Sequence, residues 1–136
     1  MDLMTTMQVS ASGLKAQSDR LRVVSQNIAN AESTGTRPGE EPYRRKTISF
    51  KDQLDRELGV ETVTVSDYGT DNSDFQKKYD PSNPVADAEG YVLMPNVNPI
   101  VEMMDMREAQ RAYEANLSII DNTRTMMART VDLLKR

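Results

Sequence analysis

Carboxylates are the reactive side chains this 136-residue sequence offers in greatest number. It holds 21 Asp and Glu against 17 Lys and Arg, with no His and no Cys. The absence of thiols and imidazoles excludes thiolate nucleophiles, disulfides, zinc sites built on Cys or His, and imidazole acid–base catalysis. Any chemistry would have to come from acids alone, as a calcium loop or a carboxylate pair. Asp71-Asn-Ser-Asp74 is a short acidic cluster. It lacks the sixth-position Gly and twelfth-position Glu that an EF-hand loop requires. Asp80, Asp87 and Glu89 lie in a Pro-rich stretch where nothing fixes their separation, so a glycosidase-like pair is unsupported. Solvated turn residues are the simpler reading. Gly35 and Gly39 match neither dinucleotide-binding nor P-loop spacing. Arg44-Arg45-Lys46, after Tyr43, is a basic run too short for a nucleic-acid footprint. With Glu40 and Glu41 nearby it reads as a surface or interface salt-bridge element. The residues therefore describe a protein that is not an enzyme. No cofactor, metal, small-molecule substrate or nucleic acid is expected.

Composition points to burial completed by partners. Hydrophobic residues are 38% and mean hydropathy is −0.63. Aromatic residues are two Phe and five Tyr, with no Trp, whereas Met numbers nine. Met is flexible and fills irregular gaps, which suits adaptable helix contacts. Net charge is −4, too small to argue for nucleic acid or an anionic membrane. The acidity sits in the middle: residues 46–98 hold five basic and ten acidic side chains, while residues 99–136 hold six of each. Balanced ends can pack together without large repulsion. No run of 18 apolar residues is present, so no membrane span is expected. Asp2 precedes no basic region followed by an apolar run, so a cleaved secretory signal is not expected either.

Two segments carry a helical period. Leu3, Met7, Ser10, Leu14, Gln17, Leu21, Val24 and Ile28 are spaced alternately by four and three. That is a 3.5-residue repeat, the seam of a coiled coil, with Ser10 and Gln17 as register-setting polar interruptions. Gly13 costs that helix about 1 kcal/mol relative to Ala. Asn30 is a plausible cap at its end. Residues 31–45 contain two Gly and two Pro and read as a loop. Lys46-Thr-Ile48-Ser-Phe50 and Val63-Thr-Val65 alternate as strands do, and Tyr91-Val-Leu-Met94 is a short apolar strand closed by Pro95. Between the first two, Phe50 to Leu58 reads as a helical turn with Leu54 and Leu58 at i,i+4. Residues 67–90 are polar and rich in turn formers. Asn98-Pro99 then marks a helix start. Met103, Met106, Gln110, Tyr113, Leu117, Ile120, Arg124, Met127, Val131 and Leu134 continue it in heptads. At 1.5 Å per residue this helix reaches on the order of 55 Å, long for so small a chain.

Three stretches resemble the bacterial flagellar axial proteins, the rod and hook family. Ser10-Ala-Ser-Gly-Leu14 followed by Asn27-Ile-Ala-Asn30-Ala31 is similar to the family's N-terminal helix signature. Pro42-Tyr43-Arg44-Arg45-Lys46 resembles the segment that follows that helix in rod members. Tyr79-Asp80-Pro81 runs to Gly90-Tyr91-Val92 and Met94-Pro-Asn96-Val-Asn98. It then leads into Met103-Met-Asp-Met106 and Arg111-Ala-Tyr113-Glu-Ala-Asn116, which resembles the shared C-terminal signature. The likeness spans nearly the whole chain in order. Two positions depart from it. Thr34-Gly35-Thr36 replaces the family's Thr-x-Gly-Tyr ending, so that tyrosine's contact is absent or moved to Tyr43. Arg107-Glu108 makes the last helix more charged there than is usual.

The resemblance implies a structural subunit of the proximal rod, in the basal body within the periplasmic space. Such a subunit leaves the cell through the flagellar type III apparatus without a cleaved signal. It polymerises helically with copies of itself and other rod proteins, on a base of export-gate and membrane-ring components, to form drive shaft and export conduit. The fold expected is mainly α: an N-terminal helix over 1–30 and a C-terminal helix over 99–136, packed as an antiparallel coiled-coil-like pair around a small extended β and loop region over 31–98. The expected packing and assembly residues are Leu3, Met7, Leu14, Leu21, Val24, Asn27, Ile28 and Asn30 on the first helix. On the second they are Met103, Met106, Tyr113, Asn116, Leu117, Ile120, Met127, Val131 and Leu134. Tyr43, Arg44, Arg45 and Tyr91 are expected to make contacts in the middle region. Two lone helices with polar seam positions bury little, so the termini are expected to order on assembly. The periodicity alone would also allow a cytoplasmic coiled-coil adaptor or chaperone.

Overall fold

The computed structural model describes residues 2–57 and 59–135. Helix α1 spans Leu3–Ala29 and helix α2 spans Pro99–Leu134. Between them lie strands β1 (Lys46–Asp55), β2 (Val60–Thr70), β3 (Gln76–Tyr79) and β4 (Tyr91–Met94). The helices hold 27 and 36 residues, just under half the chain, so "mainly α" overstates a two-helix fold with a β middle. β1 pairs with β2 and β3 with β4, each as a separate two-stranded sheet. The β3–β4 ladder is antiparallel, from Gln76↔Met94 to Tyr79↔Tyr91.

Two expectations are corrected. The stretch after Phe50 is not a helical turn: β1 continues to Asp55, and Leu58 lies outside the described residues. Nor is 67–90 all turns. β2 runs to Thr70 and β3 forms within it. Lys46–Asp55 is largely exposed, so the ladder with β2, rather than a buried face, sets its conformation.

Local chemistry fixes the helix ends. The Asn98 Oδ1 atom accepts hydrogen bonds from the backbone N–H of Ile100 (3.1 Å) and Val101 (3.5 Å), and Pro99 takes the first helical position. At the other boundary Asn30 donates from Nδ2 to the Gln26 carbonyl at 2.8 Å. Its Oδ1 accepts from Ser33 Oγ at 3.1 Å, tying the last turn of α1 to the following loop.

The chain gathers into two compact units. The first holds α1 to Leu21, Ser49–Asp67 and α2 from Arg107 onward. Here Gly13 faces Asn116, and Arg20 pairs with Glu108 at 3.6 Å, rising numbers on one helix meeting falling numbers on the other. A Cβ at Gly13 would lie 2.8 Å from Asn116 Nδ2, so the glycine permits the close approach. Ser10, Ala16, Ala109 and Thr123 are buried. Ser12 Oγ accepts a hydrogen bond from the Val63 backbone N–H at 3.3 Å, joining α1 to β2. The second unit comprises Arg22–Ile48 and Tyr68–Met106. Its buried residues include Val23, Val24, Asn27, Val92, Val97 and Glu102.

Candidate functional site

A polar junction organises the second unit. Asn27, near the end of α1, is 1% exposed and uses its whole amide. Its Nδ2 donates to the Lys46 carbonyl at 2.9 Å and to Glu102 Oε2 at 3.1 Å. Its Oδ1 accepts from Tyr43 Oη and from the Lys46 backbone N–H, both at 2.9 Å. Glu102, in the first turn of α2, is fully buried and pairs through Oε1 with Arg45 Nε. The Arg45 guanidinium also lies 3.9 Å from Asp71 Oδ2 and from Asp105 Oδ2. A buried carboxylate is tolerated only when paired and hydrogen-bonded, and both oxygens of Glu102 are engaged. Loss of hydration pushes the Tyr43 hydroxyl above its ordinary pKa, and the nearby Glu102 charge adds to the shift.

Asn96 extends the junction. Its Oδ1 accepts from the Arg45 backbone N–H at 2.8 Å, and its Nδ2 donates to the Asp71 carbonyl at 2.9 Å and Ser73 Oγ at 3.0 Å. Arg44 donates to the Asp71 carbonyl at 3.1 Å and stacks over Phe75, 4.3 Å from the ring centre. Tyr91 meets Tyr79 edge-on at 5.3 Å. Gly90 sits at φ +86, where a Cβ would strike the Tyr79 ring at 2.9 Å. The middle-region residues Tyr43, Arg44, Arg45 and Tyr91 thus all make specific contacts within this unit.

Three of the acids considered for chemistry accept hydrogen bonds within turns. Asp71 Oδ1 accepts from the Ser73 N–H at 2.9 Å, and Ser73 holds the Asp71 carboxyl below its usual range, with Arg45 and Arg44 adding to that. Asp80 accepts from Ser82 Oγ at 2.7 Å. Asp87 accepts from the N–H groups of Glu89 (3.0 Å) and Tyr91 (2.8 Å). A groove of about 570 Å³ runs beside the end of α1, lined by Arg22, Val23, Gln26, Lys46, Thr47, Tyr68, Gly69 and Thr70. Its polar groups bond to each other: Arg22 to Tyr68 Oη and Lys46 Nζ to Gln26 Oε1, each at 3.2 Å.

The helical residues divide by face. On α1, Val24 and Asn27 are buried, and Leu3, Met7, Leu14, Leu21, Ile28 and Asn30 are half-buried. On α2, Met106, Tyr113, Asn116, Ile120 and Met127 are half-buried, whereas Met103, Leu117, Val131 and Leu134 are exposed. The row that α2 turns inward beside Met106, Tyr113, Ile120 and Met127 is Glu102, Ala109, Asn116 and Thr123. It lies one residue before Met103, Gln110, Leu117 and Arg124. Small and polar side chains fill it because α1 presents Gly13 there, and bulk would hold the helices apart. Part of the apolar surface of α2 faces outward: Leu117 is 43% exposed and Leu134 82%. No helix among the described residues is long and apolar enough to cross a membrane.

Sequence reasoning missed Glu102 and Asn96 as functional residues. Glu102 looks like any acid in a helical first turn, a position the helix dipole favours regardless of burial. Asn96 lies inside a recognised motif, but its side-chain partners come from Arg45, Asp71 and Ser73, far away in sequence.

Comparison with known proteins completes the description. Residues 7–35 match the family described as "Flagella basal body rod protein", and residues 88–133 match "Flagellar basal body rod FlgEFG protein C-terminal". The "Flagellar basal-body rod protein FlgC" of Agrobacterium fabrum is 56% identical over 133 residues, covering 98% of this chain and 96% of the relative. The proteins of that name from Salmonella typhimurium and Bacillus subtilis are 40% and 39% identical. They cover 98% and 96% of this chain and 98% and 97% of their own lengths.

Proposed function

The chain belongs to the FlgC family of flagellar basal-body rod proteins, a structural subunit of the bacterial basal-body rod, and from that premise we propose how it is built in. It joins copies of itself and other rod proteins in a helical wall in the proximal rod, above export-gate and membrane-ring components. The wall serves as drive shaft and export conduit. The subunit reaches it through the type III apparatus without a cleaved signal.

The observation that carries this reading is the outward apolar face of α2. Met103, Leu117, Val131 and Leu134 are exposed on a helix whose inward row is already filled. Apolar surface of this kind, left open by its own chain, marks an interaction site. α1 and α2 act as an antiparallel coiled-coil-like pair whose remaining faces are covered by neighbours. Folding of the terminal helices completes as those neighbours arrive, because ordering costs about 1–2 kcal/mol per residue and a lone helix pair buries little. The free chain thereby stays export-competent.

The test is replacement of the resident gene in a flagellated bacterium by one encoding a tagged copy of this chain. Recovery of the tag in purified basal bodies, with swimming in soft agar, is expected. Diffuse cytosolic chain with no rod would overturn the reading. Hydrogen exchange on dilute monomer tests the coupled folding: terminal-helix amides should exchange rapidly until assembly.

A further inference from the structure

The end of α2 runs past the start of the helix it packs against. Gly13 lies against Asn116 and Arg20 pairs with Glu108. Counting along both helices from those contacts sets Leu3, the first residue of α1, level with Met126 and Met127. Thr123 is the last buried residue of α2. From Arg124 to Lys135 only Met127 is half-buried, and every other residue is exposed.

That end is sorted by chemistry around its circumference. At about 100° per residue, Met126, Met127, Val131, Leu133 and Leu134 share one arc of about 160°. Thr130 lies inside the arc and donates its hydroxyl to the Met126 carbonyl at 2.9 Å. Buried Thr123 falls on the same arc, so the arc continues the inward row of α2 beyond the reach of α1. Arg129 borders it on one side, and Arg124 and Lys135 border it on the other. Asp132, the single acid of the segment, lies opposite. Among the described residues, none of these four charges has an ion-pair partner.

A surface that covers this end must be apolar at its centre and acidic around it. The same compact unit carries one, the β1–β2 ribbon from Ser49 to Asp67. Phe50 and Leu54 are exposed there, and alternation places Asp52 between them on the same side of β1. Asp55, Glu57, Glu61 and Asp67 add four acids, and Lys51 and Arg56 are the bases. Five acids and two bases give the ribbon a net −3, whereas three bases and one acid give Arg124–Lys135 a net +2. Both surfaces are open in the lone chain, so they do not cover each other within one copy.

We infer that the apolar end of α2 in one copy is covered by the β1–β2 ribbon of a second copy. Phe50 and Leu54 pack on the Met126–Leu134 arc, and the cationic borders face the ribbon's acids. This rests on the rod reading and deepens it by naming which surfaces of the same chain meet. Apolar contact holds the copies together, and the charges select partner and register. The two surfaces differ, so the contact is heterologous. Each copy gives its helix end to one neighbour and its ribbon to another, which propagates into an open array.

Photocross-linking in assembled rods gives a direct test. Leu134 is replaced by the photoreactive apolar residue p-benzoylphenylalanine in a tagged chain, which is produced together with an untagged copy. Basal bodies are isolated and illuminated. A covalent dimer of tagged and untagged chains is expected, with its cross-linked peptide mapping to residues 49–67. Basal bodies that contain the tagged chain but join it elsewhere on this chain, to a different rod protein, or to nothing overturn the pairing and leave the rod role intact. Absence of the unsubstituted chain from basal bodies would instead overturn the rod role. Charge exchange is the second arm. Arg124→Glu, Arg129→Glu and Lys135→Glu together should reduce incorporation at least tenfold, as should Asp52→Lys, Glu57→Lys and Glu61→Lys together. Combining all six in one chain should restore it, an outcome that fold damage cannot produce. Undiminished incorporation of either triple variant, or failure of the combined chain to regain it, also overturns the proposal.

Discussion

The Asn27–Tyr43–Arg45–Glu102 junction and the outer face of α2 solve opposite problems. The junction is polar, buried and closed on itself: its amide, carboxylate and phenol find partners within the chain. The outer face of α2 is apolar and open, with Leu117, Val131 and Leu134 left to solvent. One region holds the subunit together; the other is the surface we propose its neighbours cover. The difference teaches that stability and assembly can be separated by mutation here, because they draw on different residues.

The strongest challenge to that separation is Glu102→Ala. It strands Arg45 beside a cavity and removes an acceptor from Asn27, so the subunit should lose about 3 kcal/mol in urea unfolding. A loss under about 1 kcal/mol would mean the junction does not hold the fold. Next is Gly13→Leu. A Cβ there already lies 2.8 Å from Asn116 Nδ2, so the larger side chain forces the ordered helices apart and should lower basal-body incorporation by about 2 kcal/mol, roughly thirtyfold, despite better helix propensity. Leu117→Asp addresses the other region. On an exposed position it should change monomer stability by no more than about 0.5 kcal/mol, yet abolish basal-body incorporation and swimming. Equal loss of stability and assembly would erase the distinction.

The smallest effect is a titration. The Tyr43 hydroxyl is held protonated above the ordinary phenol range by burial and by the Glu102 charge. Its contribution to stability is complete below the unfolded value near about 10 and is lost as pH climbs through the raised folded value. Tyrosinate absorbance should show a late component that Tyr43→Phe removes. Asp71 runs the other way. Its carboxyl is held low by Ser73 and the arginines, so its contribution is present above the ordinary Asp value and lost as pH falls through the lowered one.

Much of the fold was legible in the residues. Heptad spacing located both helices, Asn98-Pro99 marked the start of α2, alternation marked the cores of β1 and β2, and a short apolar run closed by Pro95 marked β4. β1 past Phe50 was not legible, because Lys51-Asp-Gln-Leu-Asp55 is held by its ladder and hides no face. β3 was missed for the same reason: Gln76–Tyr79 is exposed throughout and pairs with β4 across an eleven-residue connection. On α2 the apolar residues drew attention to Met103, Leu117 and Val131, while Ala109 and Thr123 are turned inward beside the expected Asn116. Periodicity alone cannot tell an internal seam from an external one when the internal seam is made of small residues. Tyr43 was the reverse case. The resemblance left open whether the contact of the family tyrosine missing at Thr36 is absent or moved to Tyr43; the Tyr43 hydroxyl reaches Asn27 of α1.

The bond between Asn27 and Glu102 has a kinetic consequence. It joins residues 75 apart in the chain, and the Arg45–Glu102 pair closes a loop of 57. Contacts this remote form slowly, because the entropy of closing long loops must be met before they reward the chain. Helical turns form within microseconds. The chain thus passes through an interval with nascent helices and an open junction, and closing that junction is the late step of folding.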